Sequence, residues 1–142
     1  MKGTLILFLL MLSTLHLHSQ EKENVVRSIR KRVQEIDNAK GLIIKTLQGE
    51  DFLEGNPDGV GELKGYFKAG QLVKLVEWIG LSSCTQTTEY YLQNGKLIFV
   101  YCSGKDFDYL KAGETTQPKL VMQCRFYYDN NQVFKSLLQG KT

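Results

Sequence analysis

The strongest constraint in this chain is a short pattern written three times. Tyr66-Phe67-Lys68-Ala69-Gly70-Gln71-Leu72 aligns with Tyr91-Leu92-Gln93-Asn94-Gly95-Lys96-Leu97, and both align with Tyr127-Tyr128-Asp129-Asn130-Asn131-Gln132-Val133. Each unit has an aromatic residue, a second apolar one, a polar turn, then Gln or Lys and an aliphatic. Asn94-Gly95 is a strong hairpin signal, because both central residues of a type I′ turn need positive φ. Asn130-Asn131 tolerates the same dihedrals at a higher cost. Three such turns in succession predict a six-stranded antiparallel meander, with Leu42–Leu47 as a seventh strand.

Ahead of the sheet, Val26, Ile29, Val33 and Ile36 recur at helical spacing, with charged residues between them. The pattern predicts an amphipathic helix over 21–40, closed by Gly41 at C′. Its basic run, Arg27, Arg30, Lys31 and Arg32, reads as a solvated face. A helix laid on an antiparallel sheet is an α+β layer pair, a single domain over 20–142 with the helix at 21–40 and the β-meander at 42–138.

Residues 1–19 read as a separate segment. Lys2 supplies a positive start, Leu5–Leu12 is an apolar stretch, and Ser19-Gln20 leads into charged Glu21-Lys22-Glu23. That order predicts a signal peptide cleaved near Ser19 and a periplasmic or secreted mature protein. The apolar stretch from Thr4 to Leu17 falls short of the ~20 residues of a spanning helix, so no transmembrane segment is expected in the mature chain. The segment also holds both histidines, His16 and His18. Its removal leaves no imidazole for a Ser–His–Asp triad, a Cys–His pair or a His-ligated metal. No cofactor is expected. The mature chain keeps 17 basic and 15 acidic residues, a balance with no basic stripe and no footprint for nucleic acid.

Three cysteines remain: Cys84, Cys102 and Cys124. In an exported chain an oxidised pair is expected to be Cys84–Cys102, across the central hairpin. The alternative is three reduced structural thiols. Alternation in Leu120–Phe126 points Cys124 into the core.

Between the first two strands, Glu54-Gly55-Asn56-Pro57-Asp58-Gly59 spaces oxygen ligands in the manner of a calcium loop. It lacks the closing Glu, since Gly65 stands at the twelfth position, and reads as an ordinary polar turn.

The first hairpin leaves its register open. A two-residue turn at Ala69-Gly70 sets Lys68 against Gln71, Trp78 against Gly61 and Glu62 against Glu77. Two opposed carboxylates repel. Either Lys64 or a cation relieves them, or a type I turn with a Gly70 bulge shifts the register by one. The pair Glu62/Glu77, with Glu89, would be the only basis for a carboxylate hydrolase or metal-dependent enzyme.

The segments Gly61–Tyr66, Val73–Ser82 and Glu89–Tyr101 resemble a group of uncharacterised small exported proteins of Bacteroidetes-type bacteria, and the Tyr-Tyr…Asn-Gly-Lys-Leu unit is similar to MORN-type hairpin repeats. The first resemblance implies an exported setting and no activity.

Three functions therefore stand as expectations. The leading one is a non-enzymatic binding module meeting an envelope or extracellular ligand through an aromatic sheet face, with Tyr66, Trp78, Tyr90, Tyr91 and Tyr101 as its candidates and Asp106–Tyr109 at its rim. The second is the carboxylate enzyme. The third is a structural or inhibitory protein that pairs through a strand edge.

Overall fold

A computed structural model describes residues 3–53, 60–107 and 119–140, with side chains from residue 20 onward. Helix α1 spans Gly3–Asp37, and strands β1 (Ile43–Gln48), β2 (Val60–Lys68), β3 (Gln71–Gly80), β4 (Cys84–Gln93), β5 (Lys96–Asp106), β6 (Lys119–Asp129) and β7 (Gln132–Gly140) follow. The strands form one antiparallel sheet in chain order, β1 to β7. This is the expected α+β meander. The calcium-like segment Glu54–Gly59 and the rim residues Asp108 and Tyr109 lie outside the described residues. A short helix, α2 (Gly49–Phe52), occupies part of the segment read as loop.

The helix bounds differ from 21–40. It is continuous back to Gly3, the first described residue, and no Gly or Pro interrupts residues 4–40. Its end is three residues earlier than expected. Asn38 still bonds the Gln34 carbonyl (3.0 Å), and Ala39 tightens to Ile36 (3.1 Å). Gly41, at φ +71°, serves the turn into β1 instead of capping the helix.

All three repeat turns have positive φ at both central residues: Ala69-Gly70, Asn94-Gly95 and Asn130-Asn131. They are the type I′ turns that match the twist of the flanking strands. Each hairpin then carries a bulge at the same place, three residues past its turn. Val73, Ile98 and Phe134 have no partner across the ladder. A bulge of this kind sets two residues of one strand against one of the other. All three unpaired residues join the core under α1.

The Val73 bulge settles the register of the first hairpin. Lys68 does pair with Gln71, but beyond the bulge Glu62 pairs with Trp78 and Leu63 with Glu77. The one-residue shift is real, although its source is Val73 and the turn is not a type I with a Gly70 bulge. Trp78 therefore does not sit against Gly61. It lies along its own strand over Gly80, where an added Cβ would approach the indole to 2.8 Å. Gly61 is covered by Leu53 and Phe52 of the other face.

The helix crosses the strands. Glu23 pairs with Lys135 on β7, Arg30 donates to the Tyr127 hydroxyl on β6 (3.0 Å), and Asp37 meets Lys74 on β3 and Tyr91 on β4. Fourteen helical residues rise about 21 Å, close to the ~19 Å from β7 to β3 at ordinary strand spacing. Val26, Ile29 and Ile36 are buried against Val73, Tyr91, Phe99 and Tyr127. Of the basic run read as a solvated face, Arg27 and Lys31 are exposed, whereas Arg32 is half-buried and Arg30 reaches the Tyr127 ring.

Candidate functional site

Cross-strand register arranges the helix-side face of the sheet in rows. The first row is Ile44–Tyr66–Lys74–Tyr91–Phe99–Tyr127–Lys135. It contains the leading Tyr of all three repeats, and α1 covers it from β3 to β7. Its rings are tilted against one another and against the bulge residue Phe134: Tyr91–Phe99 centroids are 5.7 Å apart, Phe99–Tyr127 5.0 Å, and Tyr127–Phe134 6.4 Å. Tilted ring pairs at this spacing are favourable beyond the area they bury.

At its β3–β4 end the row carries a polar cluster. Lys74 pairs with Asp37 (2.8 Å) and Glu89 (2.6 Å), and the Tyr91 hydroxyl donates to Glu89 (2.7 Å) and Asp37 (3.0 Å). Burial works to lower the Lys74 pKa, but the bonds to Asp37 and Glu89 outweigh it and hold the ammonium above its usual value. Burial, then the bond to Glu89, pushes the Tyr91 phenol upward as well. Both groups keep their protons at neutral pH, and the cluster fastens the end of the helix to the sheet.

The second row is Thr46–Lys64–Val76–Glu89–Tyr101–Arg125–Leu137, and the third is Gln48–Glu62–Trp78–Thr87–Ser103–Gln123–Gln139. The third row lies four residues from the first, about 14 Å along the strands. All seven of its residues are exposed or half-buried. It consists of one indole among amides, hydroxyls and a carboxylate, and it crosses all seven strands, a span of about 29 Å. Beside it, the Arg125 guanidinium lies over the Tyr101 ring at 5.2 Å and donates to Gln123 (2.9 Å). Lys64 pairs with Glu62, and that hydrogen bond, ahead of the opposing effect of burial, raises the Lys64 pKa.

The five aromatic candidates do not form one surface. Tyr91 is 3% exposed beneath the helix, and Tyr66 packs against the same core. Tyr90 points to the opposite face, as adjacent strand residues must. There it donates to Glu77 (3.4 Å), and burial, followed by the Glu77 charge, raises its pKa. Trp78 and Tyr101 are the two that share the helix-side face outside the buried row.

The carboxylate pair is not assembled. Glu62 and Glu77 occupy opposite faces, because Glu62 pairs with Trp78 and not with Glu77. Glu89 is committed to Lys74 and Tyr91. Among the described residues no cluster of His, Cys, Asp or Glu is arranged to hold a metal ion.

The favoured cysteine pairing also fails. Cys84 pairs across the ladder with Asp106, whereas Cys102 pairs with Thr88. Four residues of stagger separate the two by about 13 Å, far beyond the ~7 Å limit for a disulfide. All three thiols are free.

Sequence reasoning missed the third row and the Lys74 cluster. Both depend on register past the bulges, which the turn residues alone do not give. Among the described residues no helix is long and apolar enough to cross a membrane. No family model, curated protein or solved structure matches this chain.

Proposed function

We propose that the mature protein is an exported, non-enzymatic binding module that takes an extended, hydroxyl-rich ligand, a glycan strand, along the third row. The observation that carries this reading is the composition of that row. Trp78 offers a flat apolar face to the C–H side of a sugar ring. Gln48, Thr87, Ser103, Gln123 and Gln139 offer both donors and acceptors, as a hydroxyl-bearing chain needs. The row is open and longer than a small-molecule pocket, and Glu62 and the adjacent Arg125 add one charge of each sign. Export is read from the leader-like order of residues 1–19.

Trp78 is the only tryptophan, so its fluorescence reports this surface alone. Titration with soluble cello-, chito- and malto-oligosaccharides is expected to shift its emission with at least one series, with affinity rising with chain length. Trp78→Ala should abolish the binding measured by calorimetry. No response from any series, by fluorescence and calorimetry alike, rejects the reading.

A second reading, pairing through a strand edge, is favoured by the exposed apolar side chains of the two outer strands. Ile43, Ile44 and Leu47 on β1 and Leu137 and Leu138 on β7 are all exposed, Leu138 to 73%. Sedimentation that stays monomeric across a wide concentration range would remove self-pairing.

A further inference from the structure

The face of the sheet away from α1 holds two cysteines in direct opposition. Cys102 on β5 and Cys124 on β6 are register partners. Directly opposed residues of an antiparallel pair have Cα atoms about 4.5 or 5.5 Å apart, depending on the ladder position, and both values fall within the roughly 4.4–6.8 Å of a disulfide. The Cys124 thiol is near enough to Cys102 to help raise its pKa. Cys124 is 8% exposed, Cys102 is half-buried, and neither is bonded.

We propose that Cys102 and Cys124 are a redox pair that closes to a cross-strand disulfide, leaving Cys84 as the single reactive thiol. The oxidant is a disulfide, either a small molecule such as oxidised glutathione or a protein dithiol oxidant in its oxidised form. The Cys102 thiolate attacks one sulfur of that disulfide, forms a mixed disulfide and expels the first thiolate. The Cys124 thiolate then attacks the Cys102 sulfur and expels nothing but the second thiolate. The protein loses two protons and two electrons, and the oxidant gains them as two thiols. Cys102 is the entry point because it is the more accessible of the two. Burial, reinforced by Cys124 beside it, pushes its thiol up to about 11, so the exchange is slow at neutral pH. Closure joins two directly opposed strand positions and ties β5 to β6. Cys84 has no part in it, held opposite Asp106 at the start of β4.

The test is independent of the ligand reading. The reduced mature protein is incubated to completion with oxidised glutathione, alkylated with a maleimide, and digested without reduction for mass spectrometry. The expected result is a peptide pair joined through Cys102 and Cys124, lighter by two hydrogens, with alkylation falling from three thiols to one, at Cys84. Cys84→Ser should leave that cross-link intact. Cys102→Ser should eliminate any intramolecular bond while circular dichroism shows the fold retained. A cross-link containing Cys84, an intramolecular bond in the Cys102→Ser variant, or three alkylatable thiols after exhaustive oxidation of folded protein would each overturn the assignment.

Discussion

The first and third rows of the helix-side face run parallel across the same seven strands, yet they have opposite chemistry. The first row stacks Tyr91, Phe99 and Tyr127 under α1, and Tyr127 is 1% exposed. The third, about 14 Å away, holds a single ring, Trp78, among amides and hydroxyls that stay open to solvent. The strands are identical in both places, so the backbone ladder does not distinguish them. What differs is whether a second layer lies above. Where α1 crosses, aromatic rings exchange water for one another and hold the layers together. Where it does not, the side chains are those that tolerate water. An aromatic residue on this sheet is therefore not in itself evidence of a ligand surface.

The comparison is most easily broken by truncation on the covered side. Tyr127→Ala removes a fully buried ring and is expected to cost about 3–5 kcal/mol, whereas Ser103→Ala on the open row should stay within about 0.5 kcal/mol. Urea unfolding of the two variants decides it, and similar losses would mean that the third row is structural.

A smaller effect is expected at the end of the helix. Lys74→Met leaves Asp37 and Glu89 facing each other without their cation. The loss should be about 2 kcal/mol, below that of a fully buried pair because the Asp37 side chain is 41% exposed. The same cluster predicts alkaline sensitivity. Lys74 and Tyr91 both have folded-state values above their ordinary ones. Their contribution is therefore complete below about pH 10 and disappears as pH rises through the folded-state values. Unfolding midpoints measured upward from pH 8 should fall above that point, and Tyr91→Phe should fall less steeply.

Gly80→Ala sharpens the other side of the comparison. The added methyl meets the Trp78 ring at 2.8 Å and Val60 at 3.1 Å. It should cost about 1 kcal/mol while displacing the indole, visible as a change in Trp78 emission without loss of the sheet's circular dichroism. The smallest effect belongs to Glu23→Gln. Lys135 holds the Glu23 carboxyl below its ordinary pKa, so its contribution is present above about pH 4.5 and fades as pH falls. On an exposed pair the variant should move the midpoint at pH 7 by no more than its error.

The hairpins and the helix stripe were legible because each is written in residues adjacent in the chain. Asn94-Gly95 specifies its own turn, and Val26, Ile29, Val33 and Ile36 specify their own face. The bulges were not legible. Nothing about Val73, Ile98 or Phe134 distinguishes an unpaired strand residue from a paired one, and a one-residue error exchanges the two faces of a strand. That single residue separates the two registers left open for the first hairpin, and the Val73 bulge selects the one in which Glu62 does not face Glu77 or Trp78 face Gly61. The cysteine pairing failed for a related reason: proximity to the same hairpin was taken for opposition, while the true partner of Cys102 lay on β6. The end of the helix was missed because Gly41 served the turn into β1.

The order of the strands has a consequence for biogenesis. Every strand lies beside its predecessor, so hairpin after hairpin can close while the chain is still being delivered. The helix is the exception. Its seat runs from β3 to β7, and one of its anchors, Lys135, is 112 residues away from Glu23. The helix precedes every strand it rests on, so its apolar stripe is fully covered only once the strands through β7 are in place.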